Sequence, residues 1–160
     1  MVSLKTFLCA VLLAAPALAA PTADPTSLEA LEARAEKEYR CKNEVKDFLI
    51  KESVAVHTVR QAPVTKGGTK SGYPHPFQNF SKIKWANKKC NTGSGKGGRE
   101  PPLLLEFPVF ADGHFYPYNT GKPKPDPGNN RVIYSYPNKD FCGVVGHTKK
   151  NNGGPLAHCT

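Results

Sequence analysis

A chain of 160 residues carrying 22 Lys and Arg against 13 Asp and Glu, a formal net charge of +9, has room for one small domain and no more. Its charge balance points to an anionic partner, nucleic acid or an anionic membrane surface, and does not by itself separate the two. A soluble protein with a merely basic surface is the plain alternative.

Met1 to Ala20 places a single Lys5 before an apolar run from Phe7 to Leu13 and closes on Ala17-Leu18-Ala19-Ala20. That is the layout of a secretory signal peptide with an A-x-A cut site, and its apolar core is too short to span a bilayer. Residues 21–34 are rich in Pro, Ala and Glu and end at Leu31-Glu32-Ala33-Arg34, which reads as a short pro-segment cut after the arginine. A ragged N-terminus is the alternative there. Residues 35–160 then form the single domain, with 20 Lys and Arg against 10 Asp and Glu. Cys9 leaves with the signal, and Cys41, Cys90, Cys142 and Cys159 remain as an even set. In an exported chain such a set reads as disulfides, each contributing roughly 2–4 kcal/mol, and spacing leaves all pairings open. No two of these cysteines have C-x-x-C spacing, which argues against zinc, and no cofactor is expected.

Cys41 to Ile50 suits a short strand or half of a hairpin. Glu52 to Gln61 suits a helix with Ser53 near its start, Val56 and Val59 on one face and Pro63 beyond its end. Thr65 to Gly72 is a loop of Gly, Lys, Ser and Thr. Tyr73 to Trp85 reads as strand-like with aromatic interruptions, and Ala86 to Pro102 as a second, Lys- and Gly-rich loop. The clearest strands are Leu103 to Phe110, Arg131 to Tyr136 and Phe141 to His147, with Pro and Gly between them, notably from Gly121 to Gly128. One helix followed by short strands joined by turns predicts an α+β domain with an antiparallel sheet.

Glu106 stands inside Leu103-Leu104-Leu105-Glu106-Phe107-Pro108-Val109-Phe110, where a carboxylate is costly to bury without partners. On a strand, Leu104, Glu106 and Pro108 point one way and Leu105, Phe107 and Val109 the other. His147 ends the run from Cys142, Arg131 opens Arg131-Val132-Ile133-Tyr134, and His75 follows Tyr73-Pro74. Singly, each has a plain reading as a solvated carboxylate or as a surface or core histidine. Together on one sheet face they would form a cationic pocket holding a carboxylate, as RNA transphosphorylation requires. A base takes the ribose 2′-hydroxyl proton, an acid protonates the departing 5′-oxygen, and cations hold the charge on the phosphorane. DNA, lacking the 2′-hydroxyl, is excluded from such a reaction.

Tyr73-Pro74-His75, Leu104-Leu105-Glu106-Phe107-Pro108, Arg131-Val132-Ile133-Tyr134 and Phe141-Cys142-Gly143 through His147-Thr148 resemble, in this order, the fungal guanyl-preferring ribonucleases. The resemblance is nearest to their ribotoxin branch, almost continuous from Leu104 to Lys149 through Asp112-Gly113-His114, Lys122-Pro123-Lys124, Pro127-Gly128 and Tyr136-Pro137-Asn138-Lys139. It implies Glu106 as general base, His147 as general acid, His75 and Arg131 as the phosphate-stabilising pair, and Tyr73 assisting. It further implies Asn79, Lys122, Lys124 and Leu156 as substrate contacts, and bridges Cys41–Cys159 and Cys90–Cys142. The fold it implies is an antiparallel sheet of about five strands on one helix with long basic loops.

The same resemblance implies a secreted, monomeric, metal-independent endoribonuclease. It would cut one bond after a guanosine in the sarcin-ricin loop of large-subunit ribosomal RNA, within the ribosome, and reach cells across acidic phospholipid membranes. Shortened segments from Cys41 to Tyr73 and from His75 to Glu106 lean instead toward a general extracellular guanyl ribonuclease. A basic effector binding RNA or membranes without catalysis is the third expectation. Asn79-Phe80-Ser81 is an N-glycosylation sequon that is expected to stay unmodified.

Overall fold

The computed structural model describes residues 36–91 and 102–160. The expected signal peptide and pro-segment, and most of the Lys- and Gly-rich loop after Ala86, lie outside the described residues.

The described chain opens with a hairpin of β1 (Glu38–Cys41) and β2 (Phe48–Lys51), paired from Glu38↔Lys51 to Cys41↔Phe48. Alternation along β1 buries Tyr39 and Cys41 and leaves Glu38 and Arg40 in water. Helix α1 (Glu52–Gln61) follows directly and buries Ala55, Thr58 and Val59, an i, i+3, i+4 stripe. Val56, expected on that stripe, is only half-buried. Buried Thr58 satisfies its hydroxyl by donating to the Val54 carbonyl at 2.8 Å. Ser53 does not cap the helix; its backbone N–H donates to the Glu36 carboxylate at 3.1 Å, so the cap comes from outside the helix.

The main sheet has the order β3-β4-β5-β6-β7, every pair antiparallel. Its strands are β3 (His75–Pro76), β4 (Leu104–Pro108), β5 (Asn130–Ser135), β6 (Phe141–Lys149) and β7 (Gly153–His158). One face packs on α1 through Leu105, Phe107, Val132, Tyr134 and Val144, which meet Ala55 and Val59. The other face carries a smaller cluster of Phe77, Trp85, Leu104, Ile133 and Val145, with Ile83 and Leu156 at its margin. Strands β4 and β5 are therefore buried on both faces, which is why their sequences run apolar instead of alternating.

Two expectations need correction. The strand-like stretch from Tyr73 to Trp85 keeps only His75 and Pro76 in strand form. Pro74 and Pro76 have no N–H for a ladder, and beyond Phe77 the chain curls back on itself. Strand β7 was not among the clearest strands of the sequence; it lies at the sheet edge, where a proline is tolerated, and β6 imposes its register. The cysteines pair Cys41–Cys159 and Cys90–Cys142. The first pins the hairpin to the residue just past β7, and the second ties the short 3-10 turn Lys88–Cys90 to β6. Among the described residues no helix is long and apolar enough to cross a membrane.

Candidate active site

Register brings the candidate residues together. His75 lies opposite Glu106 in the β3–β4 pair, Arg131 of β5 opposite Pro108 and Val145, and His147 of β6 opposite Leu156 of β7. Partners across a ladder share a face, as do residues two apart on one strand. His75, Glu106, Arg131, His147 and Leu156 thus share one face, the one that carries Leu104, Ile133 and Val145 and turns away from α1.

Glu106 is 8% exposed, and its Oε1 lies 3.3 Å from His75 Nε2. Burial pushes its carboxyl above the ordinary range, against the opposing pull of His75 and Arg131. A base whose pKa is raised toward the working pH gains driving force for taking a proton. Arg131 is 2% exposed, and its Nη1 donates to the carbonyls of Pro127 at 3.0 Å, Gly128 at 2.7 Å and Asn130 at 2.9 Å. Three neutral acceptors orient the guanidinium without cancelling its charge, leaving a buried cation beside Glu106. Gly128 is required here, with φ of +62° and Phe110 at 2.9 Å from where a side chain would begin. Tyr73 fills the space between, its ring 4.7 Å from the His75 ring and 5.3 Å from the Arg131 guanidinium. Burial holds the Tyr73 phenol up, so it stays protonated and able to donate a hydrogen bond.

His147 Nδ1 lies 3.2 Å from the Gly154 carbonyl, an acceptor only, so Nδ1 carries the hydrogen and Nε2 is left for substrate. Its backbone is fixed on both sides: the N–H donates to the Asn129 carbonyl at 2.9 Å, and its own carbonyl accepts from Asn43 Nδ2 at 2.8 Å. Burial lowers the imidazole pKa and Arg131 adds to that, with the Gly154 carbonyl opposing. The four groups have separate chemical capacities: a raised carboxylate to accept a proton, an imidazolium to give one, and a guanidinium and second imidazole to hold negative charge.

A cavity of about 340 Å³ adjoins them, lined by His75, Pro76, Gln78, Phe80, Glu106 and Leu156. Of these, Pro76, Gln78 and Phe80 were not singled out in the sequence. The available signal was an aromatic residue amid polar neighbours in Gln78-Asn79-Phe80-Ser81; Phe80 is 83% exposed and lines the cavity with His75 and Glu106. On the other side of His75 a cavity of about 330 Å³ is lined by Tyr73, Tyr116 and Lys124 among others. Lys122 is exposed in the same loop as Lys124 and lines neither cavity. Asn79 uses its side chain locally, Nδ2 to the Ile83 carbonyl and Oδ1 from the Ile83 N–H, both at 2.8 Å. It lines a separate cavity with Phe77 and Trp85.

A buried carboxylate, a buried guanidinium and two imidazoles gathered on one face of a disulfide-braced antiparallel sheet suit a small nuclease of the α+β class. The ribonuclease family profile matches residues 27–160, and the chain belongs to that family. It is similar to the ribonuclease clavin of Aspergillus clavatus, 38% identical over 178 aligned positions that cover 96% of each chain. It is also similar to restrictocin, a highly specific Aspergillus ribotoxin, at a TM-score of 0.67 and 36% identity over 78% of this chain and 99% of that one. Restrictocin complexed with a 29-mer sarcin/ricin domain RNA analog gives a TM-score of 0.66 and 34% identity over the same shares of the two chains. The protein is thus an endoribonuclease of the fungal ribotoxin type.

Proposed function

We propose that this endoribonuclease is secreted, acts as a monomer, and cuts one phosphodiester bond after a guanosine in the sarcin-ricin loop of large-subunit ribosomal RNA, stopping translation. The observation that carries the reading is the buried Glu106 carboxylate held 3.3 Å from His75 on the sheet face of Arg131 and His147. Support for the target comes from the likeness to restrictocin, whose structure with a sarcin/ricin domain RNA analog resembles this chain.

Glu106 removes the proton of the guanosine 2′-hydroxyl as that oxygen attacks phosphorus. His147 Nε2 gives its proton to the 5′-oxygen as the P–O bond to it breaks, leaving a 2′,3′-cyclic phosphate and a free 5′-hydroxyl. Arg131 and His75 face the non-bridging oxygens, and the Tyr73 phenol donates to one of them. The guanine enters the cavity of His75, Gln78, Phe80 and Leu156, where the Phe80 ring offers a stacking surface. Lys124, and Lys122 farther out, contact the RNA beyond the cleaved nucleotide, while Asn79 serves by shaping the loop that carries Phe80. The net charge of +9 suits RNA phosphates and the acidic phospholipid of a target cell membrane.

A second reading, a general guanyl ribonuclease, draws on the small N-terminal hairpin, whose strands have four residues each and offer little surface to a protein partner. Intact eukaryotic ribosomes incubated with the protein at nanomolar concentration, then run as denatured RNA, separate the two. One discrete fragment from the large-subunit RNA is expected; broad degradation without a unique band establishes the second reading instead.

A further inference from the structure

The base cavity has two walls from distant parts of the chain. One is the loop after β3, which carries Gln78 and Phe80; the other is β7, which supplies Leu156. The loop is closed on itself by the Asn79–Ile83 pair and by the Lys82 N–H to the Asn79 carbonyl at 3.1 Å, with Lys82 at φ +51°. These bonds hold it as one closed turn. Across the gap, Ser81 Oγ donates to the Leu156 carbonyl at 2.9 Å, the one hydrogen bond between this loop and β7 among the described residues. Leu156 is in turn the ladder partner of His147.

We infer that Ser81 is a specificity-setting positioning residue: its hydroxyl latches the Gln78–Phe80 loop to β7 and so fixes the width of the base cavity beside Glu106 and His147. The inference rests on the proposed placement of guanine in that cavity. It concerns fit and not chemistry, since Ser81 touches neither the reacting atoms nor the groups that move protons. Ile83 and Leu156 each still pack on the same small apolar cluster when the hydroxyl is removed, so the loop loosens without leaving. A loosened cavity admits adenine more nearly as well as guanine.

The experiment compares wild type, Ser81→Ala and Ser81→Thr on guanylyl-3′,5′-uridine and adenylyl-3′,5′-uridine. Because Ser81 completes the sequon at Asn79, the proteins are made in a host that does not N-glycosylate. Ser81→Ala is expected to raise KM for the guanylyl substrate and contract the guanylyl-to-adenylyl ratio of kcat/KM by about 5-fold, the loss of one hydrogen bond's net contribution. Its kcat and pH profile stay at wild type, and Ser81→Thr, which keeps the hydroxyl, restores the ratio. Wild-type discrimination in Ser81→Ala, or an equal loss on both substrates that Thr does not rescue, overturns the latch alone. A wild-type enzyme that cleaves both dinucleotides equally well overturns the base-cavity reading and the latch with it.

Discussion

Replacing Glu106 by Gln is expected to lower activity and raise stability, and the joint pattern tests the site. Gln keeps the shape, presents a neutral amide to His75, and cannot accept the 2′-hydroxyl proton. Loss of general-base action lowers kcat/KM by about 100- to 10,000-fold, equivalent to roughly 2.7–5.5 kcal/mol on the barrier. Stability moves the other way. Burial raises the carboxyl pKa in the folded protein above its unfolded value, so the fold prefers the protonated form. Glu106 therefore contributes most to stability below the unfolded pKa, and that contribution is lost as pH rises through the folded pKa. Gln resembles the protonated acid at every pH. Glu106→Gln is expected to be more stable than wild type at pH 7.5 by about 0.5–2 kcal/mol, the usual size of a single stabilising substitution, and equal to it near pH 3. The assays are guanylyl-3′,5′-uridine cleavage and thermal unfolding at the two pH values, where each 1 kcal/mol moves Tm by about 2–8 °C. A variant less stable than wild type at pH 7.5 refutes the reasoning, because it would make the ion pairing with His75 and Arg131 outweigh the burial.

The pH dependence of kcat/KM is expected to be a narrow bell on the acid side of neutrality. The active form needs Glu106 deprotonated and His147 protonated; the first pKa is raised and the second lowered, so both limbs move inward from ~4.3 and ~6.5 and belong to the coupled site as a whole. A flat profile through pH 8 would show that His147 is not the acid. Removing the Cys41–Cys159 bridge as a double alanine variant releases a loop with a sequence separation of 118, against 52 for Cys90–Cys142. Chain entropy predicts losses of about 5 and about 4 kcal/mol, read by urea unfolding; a larger loss for the second bridge would place native-state packing above loop closure.

Much of this site was legible because its chemistry sits against its surroundings. A carboxylate in Leu103–Phe110 and an arginine opening Arg131–Tyr134 break apolar runs, and strand periodicity alone assigns Glu106 the face of Leu104 and Pro108. Helix α1 was legible to its ends, Glu52 to Gln61, because the following Pro63 stops it. Of its buried stripe only Val59 was legible, since Ala55 and Thr58 carry weak apolar signals and are buried by the sheet beneath them. Strand β7 was illegible for a stronger reason: Gly-Gly-Pro has no local preference for extended structure, and its form comes from β6 and the bridge at Cys159. Asn79 illustrates the remaining gap, because sequence likeness puts it near substrate while its amide closes a loop onto Ile83.

What could not be read from the sequence is how the wall opposite Glu106 is held. Glu106 and Arg131 lie on strands buried on both faces, so their spacing follows from the packing of the fold. The proposed base cavity instead joins a short loop to an edge strand, and among the described residues the two meet through a single serine hydroxyl and the margin of a small apolar cluster. On the proposed function, rate and base preference therefore depend on structurally separate parts of the molecule. A substitution in the double-sided core should change stability before it changes the ratio of guanosine to adenosine cleavage, whereas one in residues 78–83 should change that ratio first. Tuning of base choice without loss of the fold is physically accessible only in the second region.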